Sequence, residues 1–401
     1  MFFDMDGSYD PTNTASPLYG QLDPMSQAAI ALTNPFDSSV STLFQGYISN
    51  LSYDLDVSMK FATVTIDLVD AFDLFARMGM FGPRFGDAVG LPIGMEGYAS
   101  ADIYYEGAGG QYGDASDHWG PGANTYHIGR IHRILNQAGW PSGKRQIFSG
   151  NVALQGVVYD RGTTVLEALH DCADAEFPGV ANLFMSKDGR VIFHGRYARF
   201  NPSNYATYGI RSWYVGDLSY SSAFPSFYAP ISGLKYDKGA DNIINSVLSL
   251  PQGVSESDAP GQIYEDSASI TTYGLHSEGF SDLLVYKGEK IPRNDMLEEA
   301  RQFAKYYVDN YKFPRNRVSQ VEFKVKDPSH PSALVLWNLI CGVEISDVIY
   351  LYTNHTSSGG FAEGFFVEGI HYDVVPMKKN YPEVKLTLDL SPVVYYQTDP
   401  F

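Results

Sequence analysis

Residues 384–390 read Val-Lys-Leu-Thr-Leu-Asp-Leu, with an apolar side chain at every second position. Because successive side chains of a β-strand point to opposite faces, this period of two predicts a strand with one buried face and one wet face. Similar runs of apolar residues predict strands over residues 364–375, 347–352 and 335–340. The C-terminal part of the chain is therefore expected to be rich in β-structure.

Strands are also predicted near the start of the chain, at residues 43–48 and 57–68. Asp70 then stands where a carboxylate accepts hydrogen bonds from the first free amides of a helix, which predicts a short helix over residues 71–78. Residues 6–13 are typical of turns. A calcium loop is disfavoured there, because the regular ligand series and the distant glutamate are missing.

Helical spacing of apolar residues predicts a helix over residues 126–138 and another from residue 163 or 164 to about 175. A hairpin should follow, with strands 183–185 and 191–193 and with Gly189 at a left-handed turn position. A third helix is predicted over residues 295–311, with Asn294 as its cap. Strand-like sequence patterns also occur at residues 152–159 and 233–250.

Composition favours a mainly β protein, and the predicted helices and hairpin indicate α/β insertions in it. The 401 residues include 29 Tyr, 24 Phe, 38 Gly and 22 Pro, whereas only 18% are charged, and strands and turns favour these residues over long helices. The net charge of -18 lacks the basic surface that binds phosphates, so contact with DNA should be transient. Neither a signal peptide nor a membrane span is expected.

Candidate chemical groups do not form a recognisable catalytic, metal or cofactor motif. His118, His127 and His132 lack zinc-ligand spacing, and the acidic pairs are explained by solvated faces and helix starts. Cys172, in a predicted helix, and Cys341, in a strand-like run, are expected to be buried free thiols. The sequence therefore predicts no enzyme, no metal site and no cofactor.

Residues 79–124 are rich in Gly, Tyr and Asp and keep neither helical nor strand period, which predicts a long surface excursion. Exposed aromatic side chains bury a large area at low entropic cost. The candidate interface residues are Tyr104, Tyr105, Tyr112 and Trp119. The stretch could equally be a plain structural loop.

Several segments, in order, resemble the minor tail proteins or baseplate hub proteins of long-tailed, siphovirus-type phages of actinobacteria. They lie at residues 6–19, 43–48, 69–71, 134–141, 164–169, 188–193, 241–245, 269–274, 300–311, 314–318, 365–370 and 386–392. The resemblance covers nearly the whole chain, apart from residues 79–124 and parts of 203–228. Its specificity lies in the order and spacing of the motifs.

The resemblance implies two hub-type β-barrel domains and a small α/β domain. The first barrel would span residues 1–85, followed by the excursion at 86–125 and the small domain at 126–204. The second barrel would combine residues 205–240 and 315–401 around a helix-containing insertion at 241–314. The first barrel would be incomplete at its N-terminal side, so that either the true start lies upstream or a neighbour supplies the missing edge.

In function, the resemblance implies a structural subunit of a phage tail tip, made in the host cytoplasm and located in the virion. A homotrimeric ring would continue or close the tail tube, contact the distal tail protein, the tape-measure protein and tail fibres, and let DNA pass without specific binding. Three alternatives remain open: a receptor- or carbohydrate-binding tail module, a distal tail protein, and a wall-degrading tail enzyme.

Overall fold

A computed structural model describes most of the chain. The described residues are 2–56, 61–80, 103–105, 129–148, 150, 157–159, 162–174, 176, 180–217, 228–237, 243–251, 263–283, 293–314, 317–325, 328–353, 361–375 and 383–393. Strands predominate over helices, as the composition predicts. The expected mainly β class is confirmed, whereas two hub-type barrels, a separate small α/β domain and the domain boundaries stay predictions.

The N-terminal sheet contains four antiparallel strands in the order β1-β4-β3-β2. They are β1 (Phe2–Asp4), β2 (Gln27–Thr33), β3 (Val40–Asp56) and β4 (Phe61–Val69). Residues 6–25 form successive turns, of which residues 6–13 were predicted. Helix α1 (Ala71–Arg77) follows β4, and the Asp70 carboxylate accepts a hydrogen bond from the Phe72 amide. The predicted cap is thus confirmed.

A small α/β unit comes next. Its elements are β5 (Ile103–Tyr105), α2 (Arg130–Gln137), β6 (Arg145–Ile147), β7 (Val157–Tyr159), α3 (Val165–Asp174), β8 (Asn182–Met185) and β9 (Val191–His194). The predicted hairpin is confirmed as β8–β9, and Gly189 has a φ of 73°. The capping box of α3 is explicit, because the Glu167 carboxylate accepts from the Thr164 amide and the Thr164 hydroxyl accepts from the Glu167 amide.

The core of this unit joins α1, α2, α3 and the hairpin. Its buried members include Phe75, Ile131, Ile134, Leu169 and Cys172, and Trp140 packs beside them. Burial raises the pKa of the Cys172 thiol to about 12. Cys172 is therefore the buried, unreactive thiol that the sequence predicts.

The largest sheet has seven strands in the order β11-β10-β17-β18-β19-β16-β12. They are β10 (Ser212–Gly216), β11 (Ala229–Pro230), β12 (Gly233–Asp237), β16 (Arg317–Lys324), β17 (Val348–Thr353), β18 (Phe361–Val375) and β19 (Glu383–Pro392). Helices α4 (Arg196–Phe200) and α5 (Tyr205–Tyr208) lead into it. The alternation over residues 384–390 is confirmed, because Val384, Leu386 and Leu388 are buried.

The predicted strand at residues 335–340 is wrong. These residues belong to helix α8 (Ala333–Gly342), in which Leu336, Trp337, Leu339 and Ile340 are fully buried. A helix covered on most sides is apolar nearly all round, so its sequence lacks the amphipathic period that distinguishes a helix from a buried strand. Cys341 therefore lies in a helix, and it is half-buried rather than buried.

A further unit lies between β12 and β16 in sequence. It contains β13 (Ser246–Pro251), β14 (Ile263–Glu265) and β15 (Ser277–Leu283), with helices α6 (Ser267–Tyr273) and α7 (Arg293–Tyr311). The third predicted helix is confirmed as α7, but it begins two residues earlier than expected. Asn294 is inside the helix, so its predicted role as the cap is wrong.

The N-terminal sheet and the seven-stranded sheet share one hydrophobic core through α8. Leu32 of β2 and Leu43 of β3 pack in the same cluster as Leu336 and Trp337 of α8 and Phe365 of β18. The position of α8 therefore fixes how the two sheets face each other.

Among the described residues, no helix combines the length and the apolar character that crossing a bilayer requires.

Candidate functional site

The four candidate interface residues fall partly outside the described residues. Tyr104 and Tyr105 lie in β5, whose backbone pairs with Val158 and Val157 of β7. Tyr112 and Trp119 lie outside the described part of the chain, as does most of the 79–124 excursion. The role of these four residues in an interface stays a prediction.

The candidate histidines are not brought together within the described residues. His132 lies on α2, where burial and the charge of Arg145 lower its pKa, while His118 and His127 fall outside the described ranges. No group of three metal-ligating side chains occurs among the residues that the structure describes.

Three consecutive cross-strand pairs on one face of the N-terminal sheet consist only of carboxylate, hydroxyl and amide side chains. The pairs Asp54–Thr63, Ser52–Thr65 and Asn50–Asp67 are opposite each other in β3 and β4. Side chains of paired residues share a face, and the alternate residues Ala62 and Val64 are buried on the other face. This acid–hydroxyl face is defined here as residues 50, 52, 54, 63, 65 and 67.

The charge of the chain is concentrated in the same region. Residues 1–76 contain ten Asp and one Lys, a net charge of -9, which is half of the -18 of the whole chain in less than a fifth of its length. Asp54 and Asp67 are exposed, and the Asn50 amide donates to the Asp67 carboxylate over 3.2 Å. A surface of this kind repels phosphates at short range and leaves them hydrated.

A stack of tyrosines lies on the seven-stranded sheet, which sequence reasoning missed. The rings of Tyr214 and Tyr350 are 5.4 Å apart and tilted by 20°, those of Tyr214 and Tyr352 are 6.5 Å apart and tilted by 24°, and Tyr228 meets Tyr352 edge-on at 5.1 Å. Tyr214 is 43% exposed. The alternation of Tyr350 and Tyr352 was the available signal, but the partner Tyr214 comes from a strand distant in sequence.

A partly buried polar cluster joins α4 to the seven-stranded sheet. The Arg199 guanidinium binds the Glu368 carboxylate through two hydrogen bonds of 2.8 and 3.1 Å, and its Nε donates to the Ser346 hydroxyl over 3.1 Å. Burial alone would raise the pKa of Glu368, but the Arg199 charge and the hydrogen bonds from Arg199 and Ser391 outweigh it and lower the pKa.

His194 adds to this cluster in its neutral form. Its Nδ1 lies 3.2 Å from the Ser346 hydroxyl, and burial together with the Arg199 charge lowers the pKa of His194 to about 3. Ser346 has a left-handed φ of 74°. Because Ser346 and His194 are both buried, their contact is structural and does not offer a nucleophile and base to a substrate.

The turn of the β8–β9 hairpin lies between the two large sheets. On one side, the Gln45 amide of β3 donates to the Asp188 carbonyl over 2.7 Å when its nitrogen faces that carbonyl. On the other side, the Lys187 amide donates to the Glu344 carboxylate over 3.0 Å, and Lys187 Nζ donates to the Tyr372 hydroxyl over 2.8 Å. The Tyr372 hydroxyl in turn donates to the Ile340 carbonyl over 2.7 Å.

A cleft with a volume of about 730 Å³ opens beside this turn, between the N-terminal sheet and β18. Its apolar walls include Ile30 and Phe44 on one side and Ile370 and Val374 on the other. Its lining also contains charged residues, among them Lys187 and Glu344. Burial lowers the pKa of Lys187 to about 8 in spite of the nearby Glu344 carboxylate. This inter-sheet cleft continues the shared core, because Ile30 lies two residues from the buried Leu32 on the same face of β2.

These features describe a β-rich protein with exposed surfaces suited to contacts, and the described residues bring no nucleophile, base and orienting group together in an open site.

The chain matches no protein-family model and no curated protein. It is similar to the solved structure of the tail protein from Neisseria meningitidis MC58, with a TM-score of 0.48 and 12% identity over 93% of this chain and 90% of that chain.

It is also similar to prophage tail protein gp18 from Listeria monocytogenes EGD-e, with a TM-score of 0.38 and 9% identity over 90% of this chain and 84% of that chain. Both structural neighbours are tail proteins by their names.

Proposed function

We propose that the chain is a structural subunit of a phage tail, located at the tail tip of the virion. Copies of it form a homotrimeric ring that continues or closes the tail tube and permits DNA to pass without specific binding. The observation that carries this proposal is the acid–hydroxyl face of the N-terminal sheet, together with the concentration of half of the net charge in residues 1–76.

The physical argument concerns what a surface beside moving DNA must avoid. Lysine and arginine bind phosphates and release counterions, so a basic bore would hold the duplex, whereas an acidic bore lets it slide. Asp54 and Asp67 expose carboxylates on this face, and the other four side chains are uncharged. The ordered motifs that resemble phage tail hub proteins support the same assignment.

The resemblance also supplies the architecture of the proposal. The sheet of β1–β4 would belong to one hub-type barrel and the seven-stranded sheet to the second, so that three subunits present six similar barrels to a sixfold tube. The distal tail protein, the tape-measure protein and tail fibres would be its neighbours. No catalytic residue is proposed.

The first test is the mass of the purified chain in solution, alone and with its tail partners. The proposal expects a species of three times the 44.4 kDa chain mass. If the chain remained a monomer alone and with every tail partner, the proposed ring would be wrong.

The second test changes the acid–hydroxyl face in the assembled ring. The double variant Asp54→Lys with Asp67→Lys is expected to retain short double-stranded DNA, with retention falling steeply as salt rises. The matched control is Glu278→Lys with Glu363→Lys, which places the same charges on exposed positions of other sheets. Equal retention by both double variants would refute the assignment of this face to a DNA path.

A receptor- or carbohydrate-binding role is the second candidate, and the tyrosine stack favours it. Aromatic rings with one accessible face are suited to stacking on sugar rings. A glycan array compares the intact chain with Tyr214→Ala, and this function requires binding of defined glycans that the substitution abolishes. Absence of glycan binding by the intact chain would remove this candidate.

A further inference from the structure

Strand β2 is an unprotected edge of the N-terminal sheet. Its residues 27–33, Gln-Ala-Ala-Ile-Ala-Leu-Thr, pair with β3, and within the described ranges no strand pairs with their other side; five of the seven residues are exposed. Among the end strands of sheets in the described part of the chain, it is the only one longer than four residues that carries neither a charge nor a proline.

The other edges are protected in ways that natural sheets use against strand addition. The seven-stranded sheet ends in β12, which carries Lys235 and Asp237, and in the two-residue β11, which contains Pro230. The seven-residue edge β15 carries Glu278 and Asp282. Because β2 is the one described edge strand of this length that lacks such protection, the backbone groups on its outer side are suited to pairing with another strand.

The inter-sheet cleft lies on one face of this same edge. Ile30 of β2 is 49% exposed and lines the cleft, while Val374 on the opposite wall is 37% exposed. The volume of about 730 Å³ is that of a ligand-sized cavity. A strand added to β2 would direct every second side chain toward the face that Ile30 shares with the cleft.

Charge at the two ends of β2 distinguishes between possible occupants. Asp23 and Asp37 are exposed, and each lies four residues from an end of the strand. A second copy that paired antiparallel about Ile30 would bring Asp23 of one copy toward Asp37 of the other at both ends. Like charges placed opposite each other disfavour that pairing, whereas basic residues at both ends of an added strand favour it.

We propose that β2 and the inter-sheet cleft together form a binding site for an extended segment of another protein, with apolar side chains at alternate positions and a lysine or arginine at each end. The backbone of the segment extends the N-terminal sheet beyond β2. Its apolar side chains enter the cleft between Ile30 and Val374, and its basic ends lie near Asp23 and Asp37. This binding does not depend on whether the chain lines a path for DNA.

The test uses the full chain and a fluorescein-labelled seven-residue peptide, Lys-Val-Thr-Val-Thr-Val-Lys, which matches the length of β2. Fluorescence anisotropy measures its affinity, and hydrogen exchange of the β2 amides reports where it binds. Two control peptides separate the contributions. One replaces both lysines by glutamate, and the other carries N-methyl groups on alternate amides, which removes backbone pairing.

The expected result is saturable binding that slows exchange of the β2 amides. Replacing the lysines or methylating the amides should weaken binding by about tenfold or more, since a charge pair and a set of backbone bonds each contribute at least about 1.4 kcal/mol. Ile30→Lys and Val374→Ser should weaken it similarly. The control Leu275→Lys changes a more exposed apolar residue outside the cleft and should leave affinity unchanged.

Three outcomes would overturn the proposal. Equal affinity for the N-methylated peptide would show that no strand is added, and binding without protection of β2 would place the peptide elsewhere. Self-association of the chain that Ile30→Lys abolishes would assign the edge to a second copy. Val374→Ser lies on the opposite wall from β2, so it tests the cleft even if Ile30→Lys disturbs the N-terminal sheet.

Discussion

Replacing Lys187 by methionine removes an ammonium group from the lining of the inter-sheet cleft. Burial lowers the pKa of Lys187 from 10.5 in the unfolded chain to about 8 in the folded one. The unfolded state therefore binds the proton more readily. The contribution of this group to stability is greatest above pH 10.5, decreases as the pH falls toward 8, and is level below that.

The size of the effect follows from the interval between the two pKa values. At about 1.4 kcal/mol per pKa unit, the loss between those limits is roughly 3 kcal/mol, which we reduce to roughly 2 kcal/mol because Lys187 keeps some contact with solvent. Methionine also removes the hydrogen bond to Tyr372, which contributes about 1 kcal/mol. At neutral pH the variant should thus be more stable than the original chain by about 1 kcal/mol.

Urea unfolding, followed by tryptophan fluorescence at neutral pH and at about pH 10, measures the free energy of unfolding of the variant and of the original chain. The difference between the two chains should shrink or change sign at the higher pH. Lys235→Met, on the exposed edge strand β12, is the matched control and should show no such dependence. Parallel stability of the original chain and the Lys187 variant across this pH range would refute the reasoning.

Three further predictions concern single contacts. Glu368→Gln should lower the free energy of unfolding by roughly 2–3 kcal/mol at neutral pH. This loss is smaller than that for breaking a fully buried ion pair, because the Arg199 side chain is 6% exposed but that of Glu368 is 35% exposed. Since the pKa of Glu368 is lowered, the pair contributes fully above the usual glutamate pKa, and urea unfolding should show the difference vanishing as the pH falls through the folded value. Thr164→Ala should cost about 1 kcal/mol through loss of the helix cap and should speed hydrogen exchange in the first turn of α3; unchanged exchange would contradict the cap. Gly46→Ala should destabilise the N-terminal sheet by roughly 2–3 kcal/mol in thermal unfolding, because the added Cβ would clash with the Val69 carbonyl oxygen. A neutral effect would show that β3 and β4 can separate to make room for the methyl group.

The sequence alone predicted the elements whose signals are local. The period of two over residues 384–390, the cap at Asp70 and the hairpin around Gly189 are all confirmed. Each depends on residues within about ten positions, because side-chain alternation, cap geometry and turn conformation are set by the neighbouring backbone. Composition likewise determined the mainly β class and the acidic balance.

Tertiary structure decided the elements and contacts that local signals could not specify. Helix α8 was predicted as a strand because burial on most sides removes its amphipathic period, and only the packing of two sheets against it resolves the choice. Arg199 and Glu368 lie 169 positions apart in sequence, so no spacing rule connects them. The inter-sheet cleft and the tyrosine stack arise in the same way, because both form where strands distant along the chain are brought side by side.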